Sequence, residues 1–254
     1  MTGASGNTSG LSEHDIAHGL REAGLAAGMA VEVHASLRSF GHVCGGAEAV
    51  IAALTEVVGP QGAIVMPAFL YSPPQPLTPL DLARGLTLKL RILPPDHTGR
   101  SGMGIIADTF RRRPDVLTGV GLHRVAAWGR DREAHSRGLR RLIDTGGLGL
   151  LLGVDIYRLS AMHYVESGLP AAVRRTFEPP EGVLRHYPAD EWYIETGAPP
   201  ARAWYRIQDE AYRRGFIRDT MIGPCKCMSF VVRDVVGLYE EALRTDPLGL
   251  YGLR

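Results

Sequence analysis

A chain of 254 residues, 45% hydrophobic and 22% charged, carries enough apolar material for a sizeable core in an ordinary globular protein. Its 28 basic and 27 acidic side chains leave a formal net charge of +1 with no long basic run, which argues against a nucleic-acid partner. No apolar stretch approaches the roughly 20 residues of a membrane span.

The first ten residues are small and polar, without the charged start and apolar core of a signal peptide. Residues 1–10 are therefore expected to be a disordered tail, and residues 11–254 one domain in a cytoplasmic protein. The three cysteines, Cys44, Cys225 and Cys227, make no disulfide framework. Cys225 and Cys227 lack the second pair that a zinc site needs, so no metal is expected and reduced thiols are the plainer reading.

Ser12-Glu13-His14-Asp15 fits a capping box and opens a helix with Ile16, Leu20 and Leu25 on one face, ending at Gly28. Val31–Val33 reads as a short strand, followed by a loop from His34 to Gly41. Gly45-Gly46 leads into a helix from Ala47 to Val58, with Val50, Ala53, Leu54 and Val57 at helical spacing. Gly59 to Gly62 ends it, and Ala63–Met66 is a second strand. The result is a βαβ unit, two parallel strands with a right-handed crossover. Gly41, Gly45 and Gly46 match neither phosphate-binding fingerprint, so on spacing alone they are turn glycines.

Tyr71 to Arg100 holds six prolines and reads as an irregular lid or flap. Met103–Arg113 is a helix ending in the run Arg111-Arg112-Arg113, read as a solvated helix end, and Val125–Trp128 is a strand. Leu148–Leu152 is an apolar run of strand length. It breaks at Gly153, crosses a polar loop, and resumes as a helix that Ser160 is placed to cap. Open α/β sheets hold their chemistry outside the carboxyl ends of the strands, and this stretch brings Asp155, His163 and Glu166 there. Beyond Gly168, Arg174–Glu195 suggests irregular strands, Arg202–Arg214 a helix, Cys227–Val232 a strand and Val235–Leu243 a closing helix.

Several motifs in this order resemble the aminoglycoside 3-N-acetyltransferase family. They are Val33-His34-Ala35-Ser36-Leu37-Arg38-Ser39-Phe40-Gly41, Gly45-Gly46-Ala47, Val58 to Gly62, and Met66-Pro67. Met103 to Arg111, Ala126 to Gly129, Leu151 to Val154 and Met162 to Glu166 continue the series, which ends with Ile222-Gly223 and Asp234 to Val236. The resemblance implies a three-layer α/β/α sandwich, distinct from the smaller GNAT acetyltransferases. It also implies acetyl transfer from acetyl-CoA to an amine, with His163 as the active-site histidine.

The family's CoA loop falls on His34, Ser36, Leu37, Arg38, Ser39, Gly41, Gly45 and Gly46, with Met103 beside it. Three positions depart from the family pattern: Ala35 where a serine is common, Arg124 where proline follows the histidine at His123, and Tyr157 where an acid is common. Substrate contacts are expected from Tyr157, Ser160, His123 and Trp192.

Thioester aminolysis needs a proton acceptor for the amine and donors for the oxyanion. His163 is the expected base, oriented by Asp155 or Glu166, with oxyanion donors among the backbone N–H groups of Ser36–Ser39. The expected acceptor is the 3-amino group of an aminoglycoside, attacking directly in a ternary complex. The second half mixes seven acids with as many arginines, which leaves open a less cationic amine and another acyl-CoA. A reading of another class is a Cys225-dependent enzyme or a binding protein on the same fold. Oligomeric state, a homodimer included, is not legible.

Overall fold

The computed structural model describes residues 10–197 and 201–254. The tail expected over residues 1–10 lies outside the described residues except for Gly10. Strand β1 (Ala30–Ala35) sits at the centre of a seven-stranded sheet, parallel both to β2 (Ala63–Pro67) and to β6 (Leu148–Leu152). On the β2 side follow β5 (Val125–Gly129) and the edge strand β4 (Leu117–Thr118), both antiparallel steps. On the β6 side follow β9 (Cys225–Val231) and β8 (Arg218–Ile222), again antiparallel. The order is therefore β4-β5-β2-β1-β6-β9-β8.

The expected βαβ unit is present, and its local chemistry explains it. Helix α1 (Glu13–Glu22) begins with the capping box, in which Asp15 N–H donates to Ser12 Oγ while the Ser12 N–H donates to the Asp15 carboxylate. Helix α2 (Gly46–Val58) starts one residue earlier than expected, because Gly45 takes a left-handed φ of 86° that an L side chain resists. Leu150 and Leu152 point to one face of β6 and Leu151 to the other, as the two-residue period of a strand requires.

Two apolar cores result. Ile16, Leu20, Val50, Leu54, Ile106 and Phe110 cover one face of the sheet. Trp204, Ile207, Val235 and Tyr239, from the helices Ala201–Arg213 and Val232–Thr245, cover the other. The molecule is thus the three-layer α/β/α sandwich. No helix among the described residues is long and apolar enough to cross a membrane.

Two expectations are corrected. The proline-rich segment is not an irregular flap. Thr78 caps helix α3 (Pro79–Ala83) in a second capping box, and β3 (Leu86–Arg91) pairs antiparallel with β7 (Trp192–Thr196). Tyr187 and Lys89 both donate to the buried Asp81 carboxylate, tying the helix to the strand pair. Helix α4 (Ile105–Phe110) is shorter than expected. Its buried Asp108 accepts from Ser101 N–H and Oγ–H, and Arg111 donates to Asp108 and to the carbonyls of His97 and Gly99. Arg111 is therefore a clamp on the segment rather than a solvated helix end.

The second correction concerns Arg174–Glu195, where irregular strands were expected. The chain forms one-turn helices at Ala171–Arg174 and Glu181–Leu184, and only β7 is extended. Pro170 and Pro180, each at φ −58°, immediately precede these turns, and proline's fixed φ suits a helix start.

Two outcomes follow for stability. Gly153 has φ +68°, and a Cβ there would run into Ser39. Gly153→Ala should therefore lower the urea unfolding free energy by more than about 1 kcal/mol. His135 is 4% exposed with an unpartnered Nδ1, and burial followed by Arg141 holds its imidazole below the ordinary 6.5. The unfolded chain then binds the proton more readily, so this contribution is complete above pH ~6.5 and is lost as pH falls below it. His135→Asn should flatten that limb of the unfolding midpoint against pH.

Candidate active site

The carboxyl ends of β1, β2 and β6 meet at one rim, and β6 runs from it into the loop that carries the expected histidine. Asp155 caps a 3-10 turn over Ile156–Arg158 by accepting the Tyr157 N–H. A second 3-10 turn, Ser160–Met162, leads into a single α-turn, His163–Glu166. The expected strand, loop and helix are all present, but Ser160 does not cap the helix with its side chain. Its backbone N–H points instead at His34 Nε2, 3.2 Å away.

His163 stands at the start of the α-turn with its side chain 55% exposed. Its Nδ1 lies 2.6 Å from Glu166 Oε2, and the other oxygen of Glu166 accepts the indole N–H of buried Trp204 at 3.0 Å. Three side chains are thus joined in line, the indole fixing the carboxylate and the carboxylate fixing the imidazole. With Nδ1 engaged, Nε2 is the nitrogen left to meet a substrate.

Asp155 does not reach this imidazole. Its Oδ1 takes the Tyr157 N–H and its Oδ2 the Tyr205 hydroxyl at 2.8 Å. Of the two acids that the sequence left open, Glu166 is the one bonded to His163.

Aromatic rings surround the histidine. Trp204 stands edge-on at 5.1 Å, His123 stacks at 6.4 Å with 13° between planes, and Phe69 lies at 6.4 Å. His123 Nε2 is 2.7 Å from the Tyr71 hydroxyl. Partial desolvation, then the neighbouring His163, lowers the His123 imidazole below its ordinary value. Tyr157 packs edge-on against Trp204 at 5.4 Å.

Tyr193 lies 5.1 Å from Tyr71 and donates its hydroxyl to Glu195 at 2.8 Å. Burial raises the Glu195 carboxyl above the ordinary value, the Tyr193 bond and His163 pull it down, and Glu166 adds to the rise.

Trp192, expected at the substrate, belongs elsewhere. It stacks under the Arg91 guanidinium at 4.7 Å and packs with Leu86, Tyr187 and Ile194. A strand sends alternate side chains to opposite faces, so Tyr193 and Glu195 face the histidine cluster while Trp192 faces away. That same period was the available signal for the two residues that sequence reading passed over. Phe69 and Tyr71, two apart beyond β2, carried a similar signal; Trp204 carried none beyond its helix.

The loop expected to hold CoA lies along the same rim. Ser36 N–H donates to the Leu152 carbonyl and Ser39 Oγ–H to the Gly153 carbonyl, tying the loop to the end of β6. Leu37–Phe40 form a 3-10 turn with Arg38 exposed, and Gly41, Gly45 and Gly46 all take positive φ. The Ser36 and Ser39 N–H groups are spent within the fold, leaving those of Leu37 and Arg38. Met103 donates its N–H to Ser101 Oγ, and a side chain on the next residue, Gly104, would stand 4.0 Å from the Ala35 carbonyl. Met103 therefore borders the loop. His34 is not a loop residue at all; it is a buried residue of β1.

Cys225 and Cys227 lie fully buried on one face of β9, and burial pushes both thiols up to about 12. Burial thus disfavours the thiolate of either residue, which argues against Cys225 as a nucleophile. Among the described residues, no three His, Cys, Asp or Glu side chains are grouped to hold a metal ion.

The model of the aminoglycoside 3-N-acetyltransferase family matches residues 33–244. The chain belongs to that family. Membership makes it an acyl-CoA-dependent N-acyltransferase of the aminoglycoside 3-N-acetyltransferase type. An aminoglycoside N(3)-acetyltransferase III from Salmonella sp. is 29% identical over 252 residues, covering 87% of each chain.

A prophage-derived aminoglycoside N(3')-acetyltransferase-like protein of Bacillus subtilis is 31% identical over 181 residues, covering 62% of this chain and 65% of its own. The fold of the family recurs in the solved structure of AAC-IIIb with CoASH, at TM-score 0.69 and 19% identity over 93% of this chain and 97% of that one. A mutant AAC(3)-IVa in complex with apramycin superposes at TM-score 0.68, 21% identical, over 96% of each chain.

The thiol environment of this family member is directly measurable. Native protein treated with iodoacetamide at pH 8 should gain one adduct by intact mass, mapped to exposed Cys44. Cys225 and Cys227 should react only after unfolding.

Proposed function

We propose that this protein acetylates the 3-amino group of an aminoglycoside with acetyl-CoA, His163 acting as general base in a ternary complex. The observation that carries the reading is the line Trp204–Glu166–His163, which engages Nδ1 of a half-exposed imidazole and leaves Nε2 to meet a substrate. The amine nitrogen attacks the thioester carbonyl carbon while its proton passes to Nε2 of His163. The tetrahedral oxyanion collapses, the carbon–sulfur bond breaks, and CoA thiolate leaves and takes up a proton. The Glu166 carboxylate stabilises the imidazolium formed on the way, as the carboxylate of a catalytic triad does.

The loop from Ser36 to Gly46, with Met103, would hold the pantetheine arm and phosphates. The N–H groups of Leu37 and Arg38 are the donors left for the oxyanion, a contribution of about 3 kcal/mol when such a donor is well placed. A cleft of about 760 Å³ beside Gly45 and Ala47 carries Arg113, paired with Asp115 and Glu48, and Arg112, which is the cation of that wall left for a phosphate. Tyr157 and His123, with Tyr71, Tyr193 and Glu195, would form the amine pocket. Ser160, buried with its N–H turned toward His34, would not reach that pocket.

A less cationic amine is the second reading, favoured by the preponderance of rings over carboxylates around His163. Glu166 and Glu195 are the acids coupled to that imidazole. Thiol release from acetyl-CoA, screened against aminoglycosides and monoamines, separates the two. His163→Ala should lower kcat at least ~100-fold while leaving the thermal shift on CoA binding intact. Glu166→Gln should fall in between, and Asp155→Asn should stay within about threefold of the parent. Undiminished turnover by His163→Ala would sink the assignment.

A further inference from the structure

The central strand of the sheet carries a carboxyl group that the mechanism above does not use. Glu32 is 1% exposed, on the same face of β1 as His34, opposite Val31 and Val33 of the apolar core. Its Oε2 has no hydrogen-bond partner among the described residues. A buried carboxyl with an idle oxygen is destabilising unless its remaining bonds serve some purpose.

Those bonds converge on one place. Glu32 Oε1 lies 2.8 Å from His34 Nε2 and accepts the N–H of Ala161 at 3.2 Å. The Ser160 N–H points at His34 Nε2. Ser160 and Ala161 open the 3-10 turn that runs straight into His163, and the first N–H groups of a helical turn have no partner within it. Ordinarily a side chain just before the turn caps them. Here Ser160 and the preceding Leu159 supply no such cap. The cap comes instead from a strand more than 120 residues earlier in the chain.

The accounting also fixes a proton. A carboxyl oxygen and an imidazole nitrogen 2.8 Å apart need a hydrogen between them, and that hydrogen takes the single in-plane site of Nε2, so the N–H the pair accepts is that of Ala161, on Glu32 Oε1. β1 is held on both sides by parallel neighbours and is the most constrained element of the fold. Anything bonded to it inherits that fixed position.

We propose that Glu32 and His34 are a positioning pair: held by His34, Glu32 caps the Ser160–Met162 turn by accepting the Ala161 N–H, and the pair thereby fixes where His163 presents its imidazole. Neither touches the reacting atoms through these bonds. Displacing a catalytic group by about 1 Å costs on the order of 100-fold in rate, so the pair should act on turnover far more than on binding. The proposal rests on His163 being the base.

The test uses Glu32→Leu, which keeps the bulk and removes the acceptor, and Glu32→Gln, which keeps a carbonyl for the Ala161 N–H. Glu32→Leu should lower kcat by tenfold or more, with KM for acetyl-CoA within about twofold of the parent. Because a loss of folded protein would also lower apparent kcat at unchanged KM, kcat is referred to the folded enzyme counted by CoA-binding stoichiometry. Glu32→Gln should recover kcat to within about threefold of the parent.

Hydrogen exchange supplies a readout independent of catalysis. The Ala161 amide should be protected in the parent and should exchange at least about tenfold faster in Glu32→Leu, while β6 amides stay protected. An unchanged kcat in Glu32→Leu, or a Glu32→Gln as slow as Glu32→Leu, overturns the pair. Should Glu32→Leu not fold, an unprotected Ala161 amide in the parent overturns it. Absence of turnover by the parent itself counts against the acyl-transfer reading instead, because exchange reports the cap whether or not His163 is the base.

Discussion

The whole arrangement depends on β1 being flanked by parallel strands on both sides. The chain leaves β1 in one direction to form β2 and returns on the other side of β1 to form β6. Where the direction of winding reverses, the connections part and leave a crevice beyond the carboxyl ends of the strands. The loop after β1 and the loop after β6 open onto that crevice, and they are stitched together by Ser36 N–H to the Leu152 carbonyl and Ser39 Oγ–H to the Gly153 carbonyl. The loop after β1 and the histidine loop are therefore neighbours by topology, before any side chain is considered.

That topology explains what was legible in the chain. Strong periodic signals, such as Val50-Ala53-Leu54-Val57 and the run Leu148–Leu152, report burial against one sheet, and they produced the right elements within a residue or two. His163 and Glu166 were legible because three residues on a helical turn place two side chains on one face. Asp155 was equally close in sequence, but its oxygens are occupied by Tyr157 N–H and Tyr205. Sequence proximity does not reveal such competing bonds.

Other features were not legible because they depend on distant partners. Trp204 becomes part of the site only when the helix Ala201–Arg213 docks against the His163 turn. Trp192 looked suited to a cationic substrate, yet β3 offers it Arg91 and Lys89 of its own. The proline-rich segment read as a flap because prolines deny a ladder. In fact they fall outside β3, and Asp81 and Asp108 each gather several donors that pin the segment in place. Polar hubs of this kind carry no periodicity, and a reading based on periodicity passes over them.

Electrostatics link this rigid frame to the proposed substrate. Burial, and to a lesser degree the charge of Glu166, raises the Glu195 carboxyl, while Glu166 itself is bonded to the imidazole of His163. A cation bound beside Glu195 offsets both effects. An ammonium-bearing acceptor would favour ionised Glu195 on arrival, and ionised carboxylates would in turn favour the imidazolium that forms on His163 during attack. The attacking nitrogen must itself lose a proton, so cations that assist must sit beside the reacting amine rather than on it. A rigid ring system bearing several spaced amino groups meets that demand by geometry, placing one nitrogen at Nε2 while its neighbours pair with the carboxylates. A monoamine leaves the two acids unrelieved, and on this argument the acids rather than the aromatic rings decide between the two candidate acceptors.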